Sequence, residues 1–178
     1  MKTLETTRLI LRKWRIEDLE EFYQYAKNPN VGPNAGWEPH KDREVSKTIL
    51  NSFIEKEEVW AIVLKENNKV IGSIGIHEDK KRTFLNSRML GYVLSEEFWG
   101  KGIMTEAAKA VISYAFEGMK VDLLSIYHYT FNNRSKSVIE KCGFKYEGTL
   151  RMASQIFNGD IYDSACYSMT KEEFYNKE

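Results

Sequence analysis

The sequence predicts an α/β (α+β) protein, one domain over residues 1–178, built on a mixed, mostly antiparallel sheet of about seven strands with about four helices. Three observations carry that prediction. Short β-rich runs alternate with stretches whose apolar residues recur every three or four positions. Their order, β-α-α-β-β-β-α-β-α-β-β, lacks the repeated βαβ units of a doubly wound parallel sheet. A chain of 178 residues, 42% apolar and 29% charged, has a globular composition, and a domain near that size buries roughly 70% of its unfolded surface without staples.

Each element has its own signal. TRLILRKW (7–14) opens as a strand, with Leu9 and Leu11 on one face and Arg8, Ile10 and Arg12 on the other. Ile16, Leu19, Phe22, Tyr23 and Ala26 follow at helical spacing, and Asn28-Pro29 stops that helix. All three prolines, Pro29, Pro33 and Pro39, fall in NPNVGPNAGWEPH (28–40), which reads as a loop. Val45, Ile49 and Phe53 mark a second amphipathic helix. VWAIVLK and VIGSIGIH form a hairpin about Asn67-Asn68, and RMLGYVL (88–94) is a further strand. A Gly-containing turn then leads into a helix whose Met104, Ala107, Ala108, Val111 and Ala115 share one face as far as Gly118. LLSIYHYT (123–130) is a strand, and NRSKSVIEKCGF is a short helix closed by Gly143. Two strands about KYEGTLRMASQIF and IYDSACYSM, joined at Asn158-Gly159-Asp160, and a last helical turn finish the chain.

Composition also excludes function classes. Twenty-six basic residues balance 26 acidic ones, which argues against a nucleic-acid partner, since phosphate binding draws on a basic surplus. Apolar runs are too short for a membrane span, and MKTLETTRLI lacks the apolar stretch of a secretory signal, so a cytoplasmic location and no membrane partner are expected. Cys142 and Cys166 form no Cys-x-x-Cys pair, and His40, His77 and His128 lie far apart, so no metal is expected. Charge is uneven all the same: residues 118–146 carry five basic side chains against two acidic.

The strand–Gly-Lys-Gly–helix junction is the first place for chemistry. Gly100 and Gly102 let the backbone turn tightly and approach a ligand. The N–H groups of Ile103, Met104 and Thr105 then point out of the helix start, where the helix dipole also favours an anion. Glu96, Glu97, Lys101 and Glu106 sum to −2, so a phosphate here would depend on the backbone. A tight βα turn is the bland alternative, and a lone Gly-x-Gly does not decide between them.

A second block removes that ambiguity. EFWGKG (97–102) matches the pattern Q/R-x-x-G-x-G/A, and NNRSKSVIEKCGF (132–144) matches N-x-x-S-x-x-x-x-E-K-x-G-F. In these blocks, and in TTRLILRKW and NGDIYDSACYSMTKEEF, the chain resembles the GNAT superfamily of acetyl-CoA-dependent N-acetyltransferases. The similarity is to the branch that acetylates ribosomal-protein N-termini. The resemblance implies a GNAT fold with its sheet splayed in the middle and acetyl-CoA as cosubstrate. Tyr92, Val93 and Leu94 would pair with the pantetheine arm and supply an oxyanion N–H near Val93 or Leu94. Gly100, Lys101, Gly102, Ile103, Met104 and Thr105 would hold the pyrophosphate, and Asn132 the pantetheine or a water. Ser135 would protonate the departing thiolate, a task that many relatives give to a tyrosine at the position of Ile139. Amine attack would be direct, and an α-amine, with a pKa near 7.7–8.0 against about 10.4 for lysine, needs less help at neutral pH.

Two departures stand out. Glu97 replaces the usual Gln or Arg, and where some relatives carry a glutamate base this chain has Ala153-Ser154-Gln155. Glu38, His77 and Glu78 are candidate bases by position, although each reads more readily as a solvated loop charge or a hairpin-end histidine. Trp37, with Glu38 and Gln155, is expected on the acceptor side, although Trp37 in such a loop can equally anchor it to the core. Cys142 reads as a small buried hydrophobe. The expected acceptor is a primary amine, first a protein N-terminus and then a polyamine, aminoglycoside or amino acid. A catalytically silent CoA-binding module is the rival of another class, and a monomer and a homodimer remain equally open.

Overall fold

Side-chain alternation along the strands decides which helix covers which face of the sheet. In the computed structural model, which describes residues 1–176, eight strands form one sheet in the order β1-β2-β3-β4-β5-β6-β8-β7. They are β1 (Leu4–Glu5), β2 (Leu9–Arg12), β3 (Val59–Leu64), β4 (Val70–Glu78), β5 (Ser87–Leu94), β6 (Leu123–Tyr129), β7 (Lys145–Gln155) and β8 (Ile161–Thr170). Leu9 and Leu11 face the same side as Ile62, Ile74 and Leu90, and there they meet α3 (Ile103–Ser113) and α4 (Asn133–Lys141). Ala61, Val63 and Val70 face the other side and meet Phe22 and Tyr25 of α1 (Leu19–Ala26) and Leu50 of α2 (Arg43–Lys56). The central strands are therefore covered on both faces, which explains why VIGSIGI reads as a continuous apolar run.

The described residues hold one strand more than sequence pattern predicts. The two residues of β1 pair back onto β2, Leu4 opposite Leu11, and a run that short has no readable period. The first helix begins as a 3-10 turn, Ile16–Asp18. There the buried Asp18 accepts from the Arg15 N–H at 2.8 Å and is bound by both terminal nitrogens of Arg12 at 2.7 Å. The proline-bearing loop contains a 3-10 turn of its own, Gly32–Ala35. The last helical turn is α5 (Lys171–Tyr175), capped by Thr170 with Glu173 reaching back to the Thr170 N–H.

Every neighbouring pair is antiparallel except β5 and β6. These two run parallel and pair only at Ser87–Met89 against Leu123–Ser125. Beyond that point β5 stays with β4 as far as Leu94, and β6 stays with β8 as far as Tyr129. Each strand keeps its other neighbour, so the two diverge without loss of a core ladder, and a wedge opens between Leu90–Leu94 and Ile126–Tyr129.

Candidate active site

The wedge carries unpaired backbone. Ser95 N–H bonds the Ile71 carbonyl of β4 at 2.8 Å, and successive residues of a strand turn their N–H and C=O groups to opposite sides. Val93 and Gly91 therefore face β4, whereas Leu90, Tyr92 and Leu94 face the wedge. The Arg88 carbonyl, in the same phase, accepts from Ser125 Oγ on β6 at 3.3 Å. Of the two positions expected to offer an oxyanion N–H, Val93 is thus turned away and Leu94 is turned inward. The Leu94 carbonyl is occupied by the Trp99 indole N–H at 2.8 Å, which fixes Trp99 at the end of the strand.

Past Trp99 the chain makes the Gly-Lys-Gly turn. Gly100 and Gly102 have φ of +74° and +72°, a region that costs a Cβ-bearing residue about 1–2 kcal/mol. No atom lies within 4 Å of where a Gly100 Cβ would stand. The first hydrogen bond of α3 runs from Glu106 N–H to the Gly102 carbonyl, which leaves the N–H groups of Ile103, Met104 and Thr105 outside the helical ladder. The nearby acids are turned away from this opening. Glu106 accepts from Arg8 Nε at 2.7 Å and Thr6 Oγ1 at 2.6 Å, while Arg8 also donates to the Lys101 carbonyl. Glu97 pairs with Lys69 at 2.7 Å, and Glu96 is held by Asn28 and Asn30. Glu97 and Glu106 are paired with cations from elsewhere in the chain, so the net −2 counted along the sequence overstates the charge that an anion would meet.

The wedge and this turn open into one cavity of about 560 Å³. Tyr92, Val93, Leu94, Gly100, Gly102, Ile103, Met104, Thr105, Asn132, Ser135 and Trp37 all line it, as does His77. Four expected residues do not. Lys101 projects over the Phe98 ring, its Nζ 5.4 Å from the centroid. Glu38 is exposed on the loop and Glu78 is exposed at the end of β4. Gln155 donates to the Gly159 carbonyl inside its own hairpin turn, and the preceding residue, Ser154, lines the cavity instead. β7 is bulged between Leu150 and Ser154, a register shift that sequence alternation does not reveal.

On the α4 side, Asn132 is the N-cap. Its Oδ1 accepts from Ser135 N–H at 3.1 Å, and its Nδ2 donates to the Asn34 carbonyl at 3.2 Å, tying the proline-bearing loop to α4. Ser135 is therefore not the helix cap. Its Oγ lies 3.0 Å from the Tyr92 hydroxyl, and burial pushes the Tyr92 phenol up from its ordinary value, keeping it protonated. Ile139 and Cys142 are buried in the core.

Several wall residues escaped sequence reasoning. Arg134 stacks 4.1 Å from the Trp99 ring and joins Lys141 in the wall, so two of the basic side chains of 118–146 reach the cavity. His128 is buried in the wedge wall with Nδ1 2.8 Å from the Tyr129 carbonyl, which can only accept, so Nδ1 carries a proton. Its buried Nε2 has no partner and offers a lone pair. On the opposite face, Trp37 packs against Gly32, where a Cβ would come within 2.8 Å of the indole, so it both anchors its loop and lines the cavity. The wall contains no aspartate or glutamate among the described residues.

Comparison with known proteins gives the family. Residues 8–145 match the acetyltransferase (GNAT) domain family. An uncharacterized N-acetyltransferase of Bacillus subtilis, YoaA, is 30% identical over 173 residues, covering 94% of this chain and 96% of its own. The [ribosomal protein uS5]-alanine N-acetyltransferase of Escherichia coli is 25% identical over 162 residues, 82% of this chain and 79% of its own. The crystal structure of the microcin C7 self-immunity acetyltransferase MccE, in complex with acetyl-CoA and AMP, superposes with a TM-score of 0.77 at 25% identity, covering 93% of each chain.

Proposed function

Because the chain belongs to the acetyltransferase (GNAT) family and is an N-acetyltransferase, we propose that it moves acetyl from acetyl-CoA to the α-amine of a protein N-terminus, one whose first residue is small and uncharged. The absence of any carboxylate from the cavity wall, among the described residues, carries the choice of acceptor. A polyamine or an aminoglycoside is multiply charged at neutral pH and needs carboxylates to replace its lost hydration. Val31, Phe53, Val59 and Trp37 offer it apolar surface instead. An α-amine, with a pKa near 7.7–8.0, presents a useful neutral fraction at pH 7 and one charge at most.

The wall fits a thioester on a pantetheine arm that ends in phosphates. A diphosphate suits the free N–H groups after Gly102, and Arg134 and Lys141 supply positive charge on the α4 side. The inward edges of Tyr92 and Leu94 suit the amides of the arm, and the orphan lone pair of His128 suits an N–H donor. The neutral amine attacks the thioester carbon, a C–N bond forms, and the C–S bond breaks as the proton on nitrogen leaves. Leu94 N–H is placed for the oxyanion. The Ser135 hydroxyl protonates the thiolate, with the protonated Tyr92 phenol behind it as the second donor of a pair. The E. coli relative, named for alanine acetylation of a ribosomal protein, supports a protein acceptor.

The test is thiol release from acetyl-CoA across a panel of N-terminal peptides, polyamines and aminoglycosides. Peptides that begin with a small uncharged residue are expected to give kcat/KM at least about tenfold above any polycation, since each 1.4 kcal/mol of unmatched charge is worth a factor of ten. Turnover of a polycation in preference to every peptide overturns the reading.

A further inference from the structure

An amine that has attacked a thioester must lose a proton, and of the three candidate bases neither Glu38 nor Glu78 lines the cavity to take it. Among the described residues, the imidazoles in the wall are His77 and His128, and imidazole is the side chain most often used as a general base. They lie on opposite faces of the sheet. His128 follows Leu124 and Ile126 in phase, toward α3 and α4, beside the Tyr167 ring. His77 is in phase with Ser73 and Gly75, away from Ile74 and Ile76, and so shares the face of Val59, Val93 and the Trp37 loop.

The surroundings of His77 are cut to its shape. Gly75 pairs across the strands with Gly91, and the imidazole lies over both. A Cβ at Gly75 would stand 2.8 Å from Nε2, and one at Gly91 would stand 3.6 Å from Nε2 and Cδ2. Two facing glycines thus clear the floor for the ring and bring its Nε2 edge over β5, the strand whose far edge opens the wedge. The charged group against the ring is Glu58, at the start of β3, whose Oε2 is 3.6 Å from Nδ1. Met89 stands opposite His77 in the next strand and carries no charge. The carboxylate thus stands on the Nδ1 side of the ring, and Nε2 lies on the glycine side.

We propose that His77 is the general base of the transfer, taking the amine proton on Nε2, and that Glu58 positions the ring from its Nδ1 side. This rests on the wedge being the thioester site. As the C–N bond forms and the C–S bond breaks, the amine proton passes to Nε2 and the thiolate takes a proton from the Ser135 hydroxyl; the part-exposed imidazolium then gives its proton to water, and the Ser135–Tyr92 pair takes one back from water. The glycine pair, the acceptor-face position and the Glu58 contact then have one common explanation.

The experiment compares wild type, His77→Ala, His77→Gln and Glu58→Gln in acetyl transfer between pH 6 and 9.5, with CoA affinity measured separately by calorimetry. Both His77 variants are expected to lose about 10²–10⁴ in kcat/KM at pH 7, the usual worth of a general base. They are expected to keep CoA affinity within about twofold and to regain part of their rate at high pH as hydroxide substitutes. Added imidazole should partly restore His77→Ala, which no purely structural defect would allow. Glu58→Gln should lose less and shift the acidic limb of the profile. His77→Ala turning over within about threefold of wild type across the range, or a full loss that imidazole leaves untouched while His77→Gln is normal, overturns the proposal. The assay uses whichever amine wild type acetylates best, so a polyamine in place of a peptide defeats the acceptor reading while His77 is still judged.

Discussion

A side chain at Gly100 separates the cost of a strained turn from the cost of a blocked ligand. The backbone there has φ of +74°, which asks about 1–2 kcal/mol of any L-residue except Asn and Asp, whose short polar side chains ease that region. At about 2–4 °C per kcal/mol for a chain of this length, Gly100→Ala should lower Tm by about 2–8 °C and Gly100→Asn by less. Protein packing adds nothing, because no atom lies within 4 Å of the new Cβ. Binding should follow the opposite order. Asn projects further into the opening before the N–H groups of Ile103, Met104 and Thr105. Displacing a diphosphate from even one charge-assisted N–H bond costs about 1.5–3 kcal/mol, or roughly 10- to 150-fold in Kd. Calorimetric titration with CoA beside thermal unfolding reads both quantities on the same samples. Gly100→Asn should therefore be the more stable variant and the weaker binder. CoA affinity within twofold of wild type in Gly100→Asn would refute the assignment of this turn to the phosphates, whatever happened to Tm.

Two further outcomes follow from the same geometry. Ser135→Ala should cut kcat at pH 7 by at least about tenfold with little change in the KM for acetyl-CoA, and the deficit should shrink above about pH 9, where the free thiolate persists without a proton donor. An equal deficit at both pH values would remove Ser135 from thiolate protonation. Burial holds the His40 imidazole below its ordinary value, with Nδ1 2.8 Å from Ser46 Oγ and the ring against Trp37. The unfolded chain therefore takes up this proton near pH 6.5 and the folded chain only at lower pH, so stability falls as pH drops from about 6.5 through the folded value. His40→Gln should flatten that part of the Tm–pH curve, and an unchanged slope would show that His40 does not report on the loop.

Much of this architecture was legible because it rests on local rules. Leu9 and Leu11 alternate, and both are wholly buried. Met104, Ala107, Ala108, Val111 and Ala115 keep helical spacing, and all are buried against the sheet. Gly100 and Gly102 occur where left-handed backbone is needed, and Asn132 occurs where a helix needs a cap. These are properties of a residue and its near neighbours, so a motif in the chain becomes a shape in the fold. β1 was illegible for the converse reason: two residues carry no period, and their pairing depends on a turn back onto β2.

The charge around the cradle, and which of the candidate bases Glu38, His77 and Glu78 reaches the cavity, were illegible because both depend on contacts between distant segments. Counted along the chain, Glu96, Glu97 and Glu106 oppose an anion. In space, Asn28, Lys69 and Arg8, separated from them by 68, 28 and 98 positions, hold those carboxylates. Proximity in sequence likewise favoured Gln155 and Glu38 for the acceptor side, yet the bulge before Ser154 turns Gln155 into its own hairpin, and Glu38 points to solvent. His77 reads in isolation as the end of a hairpin strand. Its surroundings come from Gly91, 14 positions later, which leaves the floor beneath it clear, and from Glu58, 19 positions earlier, whose carboxylate stands 3.6 Å from Nδ1. Around His77, register rather than composition thus decides which side chains meet. A one-residue slip of β5 against β4 would put Tyr92 or Leu90 opposite Gly75 and close the space that the imidazole occupies, while every motif in the sequence stayed intact.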